Sequence, residues 1–387
     1  MQAQVDFSRL TAYDPSLYTE QFFRHGCLVW PAAILDEFPA FRLWQGTTVL
    51  KRQFAESFGI ASPQQVFLAS RSTQLVRMAA QLMFRQCQNV LTTDLNWPAW
   101  QSIVAEEAVR HQRTVTRIEL SQAILQEQWS ADDVAEYLLR AYIDHACDSI
   151  FLPATSNLGI QLPIHILLAK LRRTHKPRFI ILDAAQSFCH LPQLLAATEV
   201  DLTITGCHKW LGASLPLGVA IAGSTLVAEQ LHCLLSPSEA FPAWHDPLLM
   251  FTEQLCRGQV DLFSETVNVT PLFTANAALA AGRTRTTLLE MEAYQRHRNM
   301  ENILNLFSES NWSLVQPHPS LRSGILLARS HNACRQHTEP ESVRKHFHQQ
   351  GIALSAYAGG LIRLSLPSDV LSQPLLNQFA SSLYTSL

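Results

Sequence analysis

The chain predicts an α/β protein with a mostly parallel, seven-stranded sheet flanked by helices and a small C-terminal α+β domain. Three observations point there. Short apolar runs alternate with amphipathic stretches of helical length through the middle of the sequence, as βα units require. At 387 residues the chain is longer than one compact core usually covers. After Gly223 the alternation stops and a different pattern begins.

The elements follow in order. Val66-Phe67-Leu68-Ala69 reads as a strand, and Thr73 to Arg85 as a helix with Leu75, Ala79 and Leu82 on its apolar face. Asn89 to Thr93 is the next strand, and Trp100 to His111 the next helix. Thr114 to Leu120 is a strand. Ala131 to Asp144 is a helix that opens on Ser130 as its cap, with Asp132 and Asp133 in the first turn. Ser149 to Pro153 is a strand, followed by a helix from Pro163 to Thr174 with proline at its start and basic residues at its end. Phe179 to Leu182, Leu202 to Thr205 and Gly218 to Ala222 complete the seven strands. Glu239 to Asp246, rich in proline and aromatics, reads as a loop. Phe273 to Arg296 reads as one long helix, with Gly282 as a weak point in it. Two short strands, Gly324 to Ala328 and Leu361 to Leu366, lie among helices beyond. The expected division is an N-terminal segment (1–25) packed on the small domain, a large domain (26–270) and a small domain (271–387).

Composition narrows the function. Apolar residues make up 47% of the chain, enough for a sizeable core. A formal net charge of −3, without a basic tract, argues against nucleic acid or an anionic membrane as the main partner. No leader-like or bilayer-length apolar span is evident, and eight cysteines are scattered without a CxxC pair, so a cytoplasmic protein with reduced thiols is expected, without a metal site.

The chemistry gathers at strand ends. Asp183 closes the run Phe179-Ile180-Ile181-Leu182, and Lys209 follows the run Ile204-Thr205-Gly206-Cys207-His208. Open α/β sheets bind ligands at the C-terminal edge of their strands. An acid and an amine at that edge suit pyridoxal phosphate (PLP): the amine forms a Schiff base with the aldehyde and the acid keeps the ring nitrogen protonated. Strand-end Asp and Lys are also common in α/β proteins without a cofactor. Ser72 and Thr73, in the turn Ala69-Ser70-Arg71-Ser72-Thr73-Gln74, stand where a helix N-terminus binds phosphate, or where they simply cap the helix. Trp97 in Asn96-Trp97-Pro98 can stack on a planar ring or fill the core. Asn157 and Gln186 can reach a phenolic oxygen, or serve as a turn residue and a surface residue.

Asp183-Ala184-Ala185-Gln186, His208-Lys209 and Ser72-Thr73-Gln74, in this order and spacing, resemble the class V aminotransferases of PLP fold type I. That group includes cysteine desulfurases, kynureninases, isopenicillin-epimerase-like proteins and several transaminases. The resemblance extends over most of the chain. It implies Lys209 as the Schiff-base lysine and Asp183 as the partner of the pyridinium nitrogen. It places Gln186 and Asn157 beside the phenolic oxygen, Trp97 in the stacking position, and Thr73 and His208 on the phosphate. It also implies a homodimer with shared active sites, in which Thr266, within Glu265-Thr266-Val267-Asn268, closes the phosphate cup of the partner subunit. Arg363, in Leu361-Ile362-Arg363-Leu364-Ser365, matches the arginine that grips a substrate carboxylate, a task suited to its bidentate fork; the plain alternative is a surface arginine at a strand end.

The departures from that pattern shape the expected activity. Gly206 stands where the family often has a phosphate-binding serine, which leaves Thr205 as a stand-in or the cup weaker. Glu265 replaces a glycine beside the phosphate. Ser355-Ala356-Tyr357-Ala358-Gly359-Gly360 lacks the nucleophilic cysteine that desulfurases carry there, and Cys207 reads as a packed core thiol. The expectation is an aminotransferase-like enzyme acting at Cα of an amino acid. The alternatives are β-elimination or C–S lyase chemistry, then an epimerase or a non-catalytic scaffold.

Overall fold

Every residue of the strands Val66–Ala69 (β2), Ser149–Pro153 (β5), Phe179–Asp183 (β6), Leu202–Gly206 (β7) and Gly218–Ala222 (β8) is buried, as expected of runs that are apolar on both faces. With Asn89–Thr93 (β3) and Thr114–Ile118 (β4) they form a seven-stranded sheet in the order β2-β8-β7-β6-β5-β3-β4. Neighbours from β4 through β7 are parallel, while β8 runs antiparallel to both β7 and β2. The computed structural model describes the backbone of residues 5–6 and, with side chains, residues 46–192, 197–235, 246–257, 267–282, 284–308, 310–331 and 337–384.

Alternation of side chains sorts the sheet into two packed faces. Phe67, Phe151, Phe179, Ile181, Ile204 and Ala220 pack with helices 72–86, 98–110 and 225–234 on one face. On the other, Val66, Leu68, Val219 and Ile221 join helices 47–57 and 270–280. Ile150, Leu152, Ile180 and Leu182 on that same face join helices 131–144 and 164–174. The cap expected at Ser130 is a full capping box: Ser130 Oγ accepts from the Asp133 N–H, and Asp133 Oδ2 accepts from the Ser130 N–H at 2.9 Å.

The expected helix from Phe273 to Arg296 is instead two helices, Thr270–Ala280 and Thr286–Phe307. Gly282 takes a φ of 76° between them, a left-handed turn open to glycine at little cost, and its N–H donates to the Leu279 carbonyl at 2.9 Å. The C-terminal region holds more strand than its sequence announces. Trp312–Leu314 (β9), Ile325–Ser330 (β10), Ser355–Tyr357 (β12) and Leu361–Ser365 (β13) form an antiparallel sheet in the order β12-β13-β10-β9. Helices 286–307, 340–349 and 373–384 supply Ile303, Phe347 and Phe379 to its core. Val5–Asp6 (β1) pairs in parallel with Ile352–Ala353 (β11).

Two close approaches position the edge where ligands bind. A Cβ on Gly218 would lie 2.5 Å from the Ser72 nitrogen and 2.7 Å from the Arg71 carbonyl carbon, so glycine lets the start of helix 72–86 abut the sheet. Gly218 pairs with Ala69 on one side and Gly206 on the other, which brings the ends of β2 and β7 to one edge.

Candidate active site

Asp183 ends β6 next to Ile204 of β7 and Pro153 of β5, and is buried. Burial pushes its carboxyl up to about 6, while the positive charge of Lys209 and the Ala185 N–H, which donates to Asp183 Oδ1 at 2.8 Å, pull it back. The two charged groups singled out in the sequence therefore act on one another at the sheet edge. Lys209 is half-buried, three residues beyond the end of β7, and its carbonyl accepts from the Gly212 N–H at 3.2 Å.

A polar recess forms around Gly206 at the same edge. A Cβ placed there would meet the His208 ring at 3.2 Å and Ser72 Oγ at 3.3 Å, so both side chains line the space that glycine leaves. Ser72 Oγ donates to the Thr205 carbonyl at 2.8 Å. Arg71, at the N-cap, makes no side-chain bond to the amides at the start of helix 72–86, and Thr73 is exposed in that first turn, so the donor set suits an anion. Thr205 does not stand in for the missing serine: it is fully buried and its hydroxyl donates to the Ala184 carbonyl at 3.3 Å. Glu265 and Thr266 lie outside the described residues.

Trp97 sits at the N-terminal end of helix 98–110 and is half exposed, while Trp100 is buried in the core against Phe151. Asn96 sets the turn before Trp97: its Oδ1 accepts from Thr93 N–H and from the hydroxyls of Thr92 and Thr93, each at 3.0 Å, and its Nδ2 donates to the Phe151 carbonyl at 3.1 Å. Asn157 is half-buried in the turn between Ser156 and Gly159, at the end of β5. Gln186 is not a surface residue; its Oε1 accepts from Trp210 Nε1 at 2.8 Å. Arg363 is buried in the middle of β13, opposite Leu327 and Ser355, which removes the reading as a surface arginine at a strand end.

Several supporting residues escaped the sequence reading. Asp246, assigned to a loop, is buried; Oδ2 accepts from the Ser70 N–H at 2.9 Å and the Ser70 hydroxyl at 2.6 Å, and Oδ1 from the Leu249 N–H at 3.0 Å. It thus ties the start of helix 247–256 to the residue before Arg71, in the turn that leads into helix 72–86. His190 lies four residues beyond Gln186 and Trp210 directly follows Lys209; the two rings stack at 3.6 Å, joining the large sheet to Gly324 and Arg296 of the C-terminal region. Their places beside Asp183-x-x-Gln186 and Lys209 were the available signal. Cys207 is a core thiol, fully buried, with burial holding it well above the ordinary thiol range.

The donor set and the cradle at Gly206 fit a planar phosphorylated ring. Asp183, a buried acid whose charge is costly in isolation, fits a cationic ring nitrogen; Lys209 supplies an amine whose charge acts on it, and Ser72, His208 and the helix amides offer donors suited to a phosphate.

Comparison with known proteins gives a consistent result. A family model described as aminotransferase class-V matches residues 40–360. The probable cysteine desulfurase of Pasteurella multocida (strain Pm70) is 32% identical over 142 residues, which cover 34% of this chain and 32% of that protein. The chain thus matches about a third of that relative's length. Among solved structures, the cysteine desulfurase CsdA from Escherichia coli aligns with a TM-score of 0.66 at 13% identity, covering 88% of this chain and 83% of that one. The ureidoglycine-glyoxylate aminotransferase from Bacillus subtilis aligns with a TM-score of 0.61 at 15% identity, covering 87% of this chain and 83% of that one. At these identities the two structures speak for the fold.

Proposed function

The chain belongs to the aminotransferase class-V family, and on that premise we propose that it is a PLP-dependent enzyme acting at Cα of an amino acid by an aminotransferase-like reaction. The coupling of the Asp183 carboxylate to the Lys209 amine at the edge of β6 and β7 carries this reading. When bound, the cofactor supplies an electron sink for charge that develops at Cα.

The chain's own residues would then divide the work. Lys209 would hold the cofactor through its amine, and the same amine would serve as the general base over Cα. Asp183 holds the ring nitrogen in its cationic form. Ser72, Thr73 and His208 bind the phosphate, and Trp97 stacks on the ring. Asn157 and Gln186 flank the phenolic oxygen. Arg363 binds the substrate carboxylate, orienting the Cα bond that breaks. We further propose a homodimer in which Thr266 of the partner subunit completes the phosphate cup, and a cytoplasmic location, where free amino acids are at hand. Among the described residues no helix is long and apolar enough to cross a membrane.

The hairpin before Arg363 favours amino transfer over sulfur transfer. Strand β12 returns directly into β13 through Ala358, Gly359 and Gly360, the last two at φ values of 74° and 66°. This tight turn carries no thiol, and no cysteine occurs after Cys334. Incubation of the PLP-loaded protein with a panel of amino acids tests the reaction. Amino transfer is expected to depend on an added 2-oxo acid acceptor. Release of a 2-oxo product at full rate without an acceptor would assign elimination instead.

Arg363→Ala is expected to raise KM for the amino acid by about 10- to 100-fold, the loss of a charge-assisted pair of hydrogen bonds, with PLP affinity changed far less. A steady-state KM beside a spectroscopic PLP titration checks this; equal losses in both would make Arg363 a scaffold residue.

A further inference from the structure

We propose that Trp210 is a positioning residue that fixes which end of the Gln186 amide faces the cofactor, an inference that rests on the PLP reading above. A glutamine amide has an acceptor end and a donor end, and the indole N–H is a donor only. Trp210 Nε1 therefore takes the Gln186 oxygen, at 2.8 Å, and leaves the two N–H donors on the other end of the amide. A donor is what the phenolic oxygen of PLP can use. With the amide reversed, oxygen would face oxygen and the contact would repel.

Trp210 can enforce this because it cannot turn. It is 3% exposed, and its ring stacks on His190 at 3.6 Å with 14° between the planes. The Arg296 guanidinium lies 5.3 Å from the indole ring. His190 is pinned in turn. Its Nδ1 donates to the Gln186 carbonyl at 2.7 Å, and its Nε2 accepts from the Gly324 N–H at 3.0 Å. A carbonyl only accepts and an amide N–H only donates, so these two bonds select one neutral tautomer. Burial and the nearby Arg296 and Arg363 hold that imidazole well below its ordinary range, in keeping with the neutral form. A Cβ on Gly324 would come 2.6 Å from His190 Nε2, so the backbone there is as close as glycine permits. His190 thus fixes the main chain of Gln186 while Trp210 fixes its side chain, and stacking joins the two. A buried indole needs an acceptor in any case, so the bond alone does not distinguish positioning from packing, and paired variant backgrounds do.

Trp210→Phe keeps a ring against His190 and removes only the N–H. PLP titration of the apo-protein, followed by its visible band, reads the effect. The expected result is a 5- to 30-fold weaker Kd, the loss of one neutral hydrogen bond with its orientation. In a Gln186→Leu background the same substitution is expected to change Kd by less than about 2-fold, because the group it acts through is gone. Equal losses in both backgrounds would overturn the proposal and make Trp210 a packing residue, as would an unchanged Kd in the single variant. A second measurement needs no variant: the 3-deoxy analogue of PLP, which lacks the phenolic oxygen, should bind the unaltered protein 5- to 30-fold more weakly than PLP. Equal binding of the two compounds overturns the proposal even if Trp210→Phe does not fold. Should the unaltered protein show no PLP band that depends on Lys209, the functional reading fails and this inference with it; a normal band with Trp210→Phe indistinguishable from it removes the inference alone.

Discussion

Lys209→Ala leaves a folded protein that develops no pH-dependent visible band with PLP and has lost its turnover. Lys209 supplies the amine that acts on Asp183 at the joined ends of β6 and β7. The substitution removes both the covalent hold on the cofactor and the base over Cα. Loss of the base alone costs about 10²- to 10⁴-fold in rate. Absorbance between pH 5 and 9, with far-UV circular dichroism as the control for folding, checks this outcome. A band that persists unaltered in the variant would place the cofactor on another amine.

Asp183→Asn has two opposed effects. In the apo-protein it stabilises. The folded-state pKa of Asp183 is about 6, above the ordinary 3.8 of an aspartate. An acid raised in this way favours folding while protonated; that contribution is fully present below the unfolded value and is lost as pH rises through about 6. Above that point the folded chain carries a buried charge whose cost is on the order of 3 kcal/mol. A neutral amide of nearly the same shape is therefore expected to raise apo stability by about 1–3 kcal/mol at pH 7.5, with the gain shrinking towards zero as pH falls to about 4. In the PLP-loaded enzyme the same change lowers turnover by about 10²- to 10³-fold, because the charge facing the ring nitrogen has gone. Urea unfolding of apo-protein at pH 7.5 and pH 5, beside steady-state turnover, separates the two effects. A variant that is less stable than the parent at both pH values would show that Asp183 holds the fold together rather than storing cost for function.

The large sheet was legible because its signals are local. Fully buried parallel strands such as Phe179–Asp183 are unbroken apolar runs, and Ser130 with Asp133 writes a helix start in four residues. The order of strand ends along the chain was enough to collect Ser72, Asp183, His208 and Lys209 at one edge. The C-terminal sheet was harder. Strand β12 is three residues long and half-buried throughout, and β9 is as short, so neither shows a period. Gly282 could be read as a flaw in one helix or as the end of it; the left-handed turn decided between these, and sequence does not display φ. Thr205 looked like a spare hydroxyl because its sequence neighbours are site residues, yet strand alternation sends its side chain into the sheet packing. Asp246 is tied to the site through a partner 176 positions away, Ser70. Contacts of that span leave no local trace.

The two glycines at the phosphate end differ in what they permit an evolving lineage. Position 218 faces main-chain atoms, which cannot step aside, so any larger residue there dislodges the start of a helix. Position 206 faces the rotatable ring of His208 and the hydroxyl of Ser72, and a turn of the imidazole opens room for a small side chain. One half of the cup is therefore frozen and the other remains open to exchange, and a descendant could acquire a hydroxyl at 206 in one step without rebuilding the sheet beneath it.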